Sequence, residues 1–259
     1  MDVTTASPRS RPQYGIDAPG LVRGFFVGGL GLAAVALATV VSPWPGGGVA
    51  IAAASIVGLA AAYALGMGCY MLYGSLVVKV RGRDGLLDLL PWSGAEAVLD
   101  VGCGRGLLLV AAARRVPTGR AVGIDTWRAA DQAGNRPEAT LANAQAEGVA
   151  DRVEVRTGDA RELPFPDGSF NAVVSHWVVH NLEVPGDRSR ALAEMARVLK
   201  PGGQLLIADI AHHAEYADRL RALGFTGVRR VESPFWGVVR AAISFGSFRP
   251  GAVVGKKPV

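Results

Sequence analysis

The stretch Val98-Leu99-Asp100-Val101-Gly102-Cys103-Gly104-Arg105-Gly106 constrains this chain more than any other. A run suited to a buried parallel strand meets three glycines at alternate positions, and Leu107 to Ala112 then reads as a helix start. A strand, a glycine turn and a helix in that order make a pocket for a nucleotide-like ligand. Glycine lets a ligand approach the backbone, and amides at the helix start face anionic groups. Taken alone, the pattern also serves as a tight turn that binds nothing.

A dinucleotide site requires G-x-G-x-x-G, whose last glycine would stand at Leu107; here the third glycine comes one residue early. An acidic residue closes the next strand, Ala121-Val122-Gly123-Ile124-Asp125, 23 residues after Gly102. A carboxylate there accepts ribose hydroxyls whichever nucleoside is bound.

From about Leu86 to its C-terminus the chain resembles the class I S-adenosylmethionine-dependent methyltransferases. Val98 to Gly106 is similar to their first motif, E/VLDxGCGxG, and Gly123-Ile124-Asp125 to the strand end that holds the cofactor ribose. Thr157-Gly158-Asp159-Ala160, followed by Leu163-Pro164-Phe165, resembles the adenine-reading segment. Phe170 to Ser175 resembles the fourth strand, FDxVxS, with Asn171 in place of the usual Asp, and Arg197 to Gly203 the turn into the fifth. The resemblance implies an α/β fold with a doubly wound, mostly parallel seven-stranded sheet. It implies S-adenosylmethionine as cofactor, held by Asp100, Gly102, Cys103, Gly104 and Gly106, by Asp125 and Thr126, by Asp159 and Ala160, and by Ser175.

Half of the 259 residues are hydrophobic, and the excess sits near the N-terminus. Gly24 to Val41 is an uncharged run of 18 residues and Val49 to Val78 one of 30. At about 1.5 Å per helical residue, 18 residues span about 27 Å, close to the apolar thickness of a bilayer. Small residues dominate both runs, as close helix packing in lipid favours. Between them, Ser42-Pro43-Trp44-Pro45-Gly46-Gly47-Gly48 breaks helices and carries an interfacial Trp. The pattern predicts a membrane hairpin of two spans. Its alternatives are two buried helices of a soluble domain and a cleaved signal peptide ending near Ala36-Leu37-Ala38.

Charge agrees with the hairpin. Before residue 84 six basic residues (Arg9, Arg11, Arg23, Lys79, Arg81, Arg83) face two acidic ones, Asp2 and Asp17, whereas the remainder carries 21 basic and 20 acidic. The excess brackets the apolar runs, which by the positive-inside rule places both ends in the cytoplasm. The isoelectric point of 9.6 is therefore a membrane signature and gives no reason to expect a nucleic-acid partner. Cys69 and Cys103 cannot make a disulfide framework, and no Cys/His cluster has metal-ligand spacing, so no metal is expected.

The expected organisation is a flexible tail over residues 1–20, a transmembrane hairpin over 21–83 and a methyltransferase domain over 84–259. In the last, strands near 97–101, 120–124, 152–156, 170–175 and 203–209 alternate with helices near 106–115, 136–147 and 187–199, which predicts a parallel sheet. A helix over Ala214–Leu223 and an antiparallel pair, 228–231 with 252–255, close the domain. The aromatic segment 233–250 between them reads as a flap facing substrate or membrane, or as a packing cluster.

Candidate general bases follow the fourth strand in Ser175-His176-Trp177-Val178-Val179-His180-Asn181. His176 and His180 would share one face if the loop is helical, and either can take a proton from a hydroxyl or thiol. His212-His213 is a weaker candidate, and Trp127 and Trp177 wall a pocket or simply pack. The function expected is membrane-anchored methyl transfer to a small or lipid-like acceptor at the cytoplasmic face of the cell membrane. The alternatives are a protein methyltransferase acting on membrane partners and a non-catalytic S-adenosylmethionine-binding membrane protein. The acceptor atom and oligomeric state stay open.

Overall fold

The computed structural model describes residues 11–42, 47–232 and 250–259. They form two compact units: one holds Tyr14 with the residues just ahead of it, Gly82–Trp127 and Arg136–Val259, and the other holds Gly15–Arg81 with Arg128–Asn135.

The first unit is built on a sheet of seven described strands, β1 (Ala97–Val101), β2 (Arg120–Asp125), β3 (Val153–Thr157), β4 (Phe170–His176), β5 (Leu199–Asp209), β6 (Thr226–Glu232) and β7 (Gly251–Lys256). Their order is β3-β2-β1-β4-β5-β7-β6. The first five pair in parallel, and β7 runs antiparallel to both β5 and β6. Helices α4 (Leu107–Arg115), α5 (Pro137–Ala146), α6 (Pro185–Val198) and α7 (His213–Ala222) cross between strands. This is the doubly wound, mostly parallel architecture expected.

Period-two alternation feeds two cores. Val98, Val174, Leu206 and Val254 join one apolar cluster with α4, while Leu99, Val173, Leu205 and Val253 join the other. Both faces being covered is why the inner strands read as unbroken apolar runs. Helix α4 is buried from Leu107 through Ala113, and each large side chain so buried contributes about 1.5–3 kcal/mol. The strand order turns back at β1, between β2 and β4, so the crevice of this topology opens at the carboxyl ends of those strands.

The second unit contains α1 (Pro19–Val41) and α2 (Gly47–Tyr73), the latter continuing through a π-helical turn, Gly74–Val78, into α3 (Lys79–Leu87). A Cβ on Gly29 would lie 2.8 Å from Leu65, and one on Gly68 would lie 3.1 Å from Phe26, so glycines set the seam and the two helices run in opposite directions. Leu30, Val35, Leu37, Val49, Ile56 and Leu59 point outward and are more than half exposed. At the base, Lys79 is buried with its ammonium 2.7 and 2.8 Å from the two Asp17 oxygens, and the Gln132 amide donates to Asp17.

Two boundaries differ from the sequence expectation. The segment to residue 20 is not a free tail where described: Tyr14 is buried because its ring and hydroxyl find partners in the sheet-bearing unit. Residues 128–135, inside the range 84–259, pack instead with the helical unit, since Ala133 and Ala18 donate to Ile16 and Asp131 carbonyls respectively. The flap segment, apart from Pro250, lies outside the described residues.

Candidate active site

The glycine turn closes on the carboxyl end of β2. Gly102, Gly104 and Gly106 have φ of +71°, +50° and +83°, a region that other residues enter only under strain. The Gly102 and Cys103 amides both donate to the Ile124 carbonyl, and the Gly104 amide donates to Asp125 Oδ2 at 2.8 Å. The other Asp125 oxygen accepts the Trp127 amide at 2.6 Å. A carboxylate has about four acceptor positions, so Asp125 can fix the turn and still receive ligand hydroxyls. Thr126 beside it is exposed.

Asp100 lies in β1 beneath the turn, fully buried, with Oδ1 lacking a hydrogen-bond partner among the described residues. Burial, above all, pushes its carboxyl up to about 8, with the Asp125 charge adding and the Leu109 amide opposing. A buried acceptor without a donor costs free energy. The site therefore suits a cationic ligand, and the ammonium and sulfonium of S-adenosylmethionine meet that requirement. With three glycines of positive φ and a strand-end carboxylate beside them, the residues present fit this cofactor.

Other candidates have structural duties. Cys103 is buried against Gly123, where a Cβ would come 2.7 Å from its sulfur, and burial raises its thiol well above the ordinary range. The Ser175 hydroxyl is buried and donates to Val101, tying β4 to β1. Asp159 sits just beyond β3, where Gly158 donates to the Asp125 carbonyl, and its carboxylate is gripped by Arg161, which lowers its pKa. Ala160 packs on the second core. Trp127 donates from its indole to Thr157.

The loop after β4 crosses the glycine turn. A Cβ on Gly102 would lie 2.2 Å from Val178 Cγ2, so glycine is what admits this loop. The loop is not one helix: Trp177 turns to φ +58° and only Val179–Asn181 forms a 3-10 turn. His176 and His180 therefore do not share a helical face, contrary to that expectation. His176 stacks on Trp177, with centroids 4.9 Å apart and planes 15° from parallel. His180 instead meets Asp209 at the carboxyl end of β5, Nδ1 to Oδ1 at 2.5 Å, and its amide donates to Oδ2 at 3.0 Å. Asp209 is buried and also accepts the Tyr216 hydroxyl and the Ile210 amide. His213 is buried on the Asp209 carbonyl and His212 lies near Glu215, which gives both histidines structural roles.

Three non-glycine residues with positive φ, Trp127, Trp177 and His212, follow the carboxyl ends of β2, β4 and β5. Such strain concentrates at functional edges. Among the described residues no group of His, Cys, Asp and Glu could hold a metal ion.

Residues 99–207 match the family model described as Methyltransferase domain. Over 130 residues the chain is 38% identical to Methyltransferase GfsG of Streptomyces halstedii, covering 50% of this chain and 43% of that protein. Over 113 residues it is 37% identical to a demethylmenaquinone methyltransferase of Symbiobacterium thermophilum, covering 43% of this chain and 41% of that one. The chain thus spans less than half the length of these relatives. The solved structure of geranyl diphosphate C-methyltransferase from Streptomyces coelicolor A3(2) is similar in fold, with a TM-score of 0.56 at 19% identity, covering 73% of this chain and 83% of that one.

Proposed function

We propose that this chain is a membrane-anchored methyltransferase that moves the methyl group of S-adenosylmethionine to a small, lipophilic, hydroxyl-bearing acceptor at the cytoplasmic face. The observation that carries the chemistry is the His180–Asp209 pair on the loop that crosses Gly102. When bound, the cofactor supplies a methyl carbon on a sulfonium, open to in-line displacement. The chain's own task is then to align the acceptor, exclude water and remove a proton. Asp209 accepts from Nδ1–H, which fixes the tautomer with Nε2 as the basic nitrogen. His180 Nε2 takes the acceptor's proton as the new bond to carbon forms. Asp209, bound to Tyr216 and the His180 amide, keeps the ring from turning away. Asp125 would hold the ribose and Asp100 the amino group, while Trp127 and the His176–Trp177 stack flank the crevice.

Anchoring rests on α1 and α2. They are long and apolar enough to span a bilayer, and only 6% and 11% of their apolar windows are buried. The core helix of a soluble domain would be covered. Basic residues at the hairpin's base favour cytoplasmic ends. A lipophilic acceptor agrees with the anchor and with the relative whose name specifies demethylmenaquinone.

The test is to incubate the full chain with radiolabelled S-adenosylmethionine and membranes of the native host. Label in the lipid extract supports the proposal. Label in protein would mean a protein methyltransferase, and no transfer despite cofactor binding would mean a non-catalytic binder.

A further inference from the structure

The carbonyls of the glycine turn point at α5. Thr140 donates to the Gly104 carbonyl at 2.6 Å, and Asn143 Nδ2 donates to the Arg105 carbonyl at 2.8 Å. Thr140 and Asn143 stand three apart on one helical face, and both are buried. A trans peptide sets each carbonyl opposite the next amide. Pinning these carbonyls therefore turns the Arg105 amide away from α5, while the Gly106 amide closes the turn on the Cys103 carbonyl at 2.7 Å.

A remote strand of chain completes the arrangement. The Gln13 amide donates to Asn143 Oδ1 at 2.7 Å, and Asn143 Nδ2 donates back to the Gln13 carbonyl at 2.9 Å. This is the reciprocal pairing of a β-ladder, made by one side-chain amide. Arg105 Nε donates to the same carbonyl at 2.6 Å, so the residue between two turn glycines is tied to residue 13 directly. Tyr14 anchors the strand: it is buried, Arg83 stacks over its ring, and its hydroxyl joins Arg83 and Glu147. Glu147 also receives both Arg83 nitrogens, at 2.7 and 2.8 Å.

We propose that Gln13, Tyr14, Thr140 and Asn143 are positioning residues for cofactor binding, forming a clamp that holds the Gly104–Gly106 backbone in its ligand-receiving shape. Affinity for S-adenosylmethionine then depends on a segment that lies just before the apolar hairpin in sequence. A fragment beginning at residue 84 would contain every cofactor motif and still bind poorly. The inference concerns the cofactor alone and stands whichever acceptor is methylated.

Gln13→Pro removes the amide hydrogen that Asn143 accepts and also fixes φ at residue 13, and Asn143→Leu removes the clamp from the other side. Tyr14→Phe frees the anchor while keeping the ring. In the full chain in detergent, calorimetry with S-adenosylmethionine and with S-adenosylhomocysteine should show Gln13→Pro and Asn143→Leu each weakening binding about tenfold, equivalent to about 1.4 kcal/mol. The double variant should be no worse than Asn143→Leu alone, since both break one interaction. Hydrogen exchange should quicken at residues 103–106 and stay unchanged in β1, β4 and β5, which a general loss of stability would not do. If Asn143→Leu does not fold, Gln13→Pro and Tyr14→Phe decide. Affinities within twofold of the parent for both, or exchange that rises through the whole sheet, would overturn the clamp.

Discussion

His180 Nδ1 lies 2.5 Å from Asp209 Oδ1, and the His180 amide donates to Oδ2 of the same carboxylate at 3.0 Å. One buried group thus fixes both the backbone and the ring of His180, two residues beyond the Val178 that meets Gly102. General-base catalysis contributes about 10²–10⁴-fold. His180→Ala is expected to lose methyl transfer by that order while binding S-adenosylmethionine as before. Asp209→Asn should also be severely impaired, because an amide that donates toward Nδ1 favours the wrong tautomer. Initial rates with a labelled methyl group, set beside calorimetric affinity, check this. Full activity in His180→Ala would remove the base.

The partners of this pair show where sequence reading reaches and where it stops. Gly102, Gly104 and Asp125 were legible because the turn and the strand after it are close in the chain, and their geometry repeats wherever the motif occurs. His180 was legible as a residue type in the right loop, but its carboxylate was not. Asp209 is 29 residues away, and only the pairing of β4 with β5, His176 beside Ala208, brings the two strand ends together. The clamp was still less visible, since Gln13 acts through its backbone across 130 residues. A main-chain amide leaves no mark in a sequence.

Asp125 holds the Gly104 amide and is proposed to hold the cofactor ribose, so its replacements should separate. Asp125→Ala loses the proposed ribose acceptor and also the partner of the Gly104 amide, and affinity should fall by about 1–3 kcal/mol. Asp125→Asn keeps an acceptor oxygen for Gly104 and should lose less. Unchanged affinity in the alanine variant, measured by calorimetry, would take Asp125 out of the site.

Gly102 answers a different question. Its φ is +71°, and a methyl there would meet Val178 at 2.2 Å. Gly102→Ala should therefore weaken cofactor binding and displace the loop carrying His180, reducing affinity and turnover together. Adding Val178→Ala removes the 2.2 and 2.5 Å contacts but leaves the Val178 Cβ at 2.9 Å and the backbone strain of about 1–2 kcal/mol, so partial recovery of turnover is expected. No recovery in the double variant would mean that the loop is not positioned by this contact.

Asp100 predicts a proton count. With its carboxyl held up to about 8, chiefly by burial, the group is mostly protonated at neutral pH without cofactor. An adjacent ligand cation favours ionisation, so binding at pH 7 should release a proton and tighten as pH rises toward 8. Calorimetry at one pH in phosphate and in Tris reads the release as a difference in apparent enthalpy. The linkage to stability has the opposite sign. The folded chain binds this proton more tightly than the unfolded chain, so the stabilisation it gives is complete below about pH 4. It is lost as pH rises toward about 8. Equal apparent enthalpies in the two buffers would show that Asp100 does not respond to the ligand.

The hairpin makes the last prediction, because water and lipid demand opposite things of the same surface. Leu30 and Leu59 are 62% and 72% exposed, on helices whose seam is made by Gly29 and Gly68. If that surface faces lipid, the chain should resist carbonate extraction, and reporters at both termini should read cytoplasmic. Lysine near the middle of a span costs about 2.5–3.5 kcal/mol in membrane insertion. Leu30→Lys with Leu59→Lys should therefore release the chain from the membrane fraction or drive it into aggregates. If the surface faces water, the same pair should raise solubility and leave the fold intact. Gly29→Leu makes the contrast complete: it leaves the outer surface apolar but collides with Leu65 at the seam, so it should loosen the hairpin without expelling it. A parent chain recovered in the soluble fraction, with the lysine pair better behaved than the parent, would end the membrane reading and make a water-soluble acceptor the better expectation.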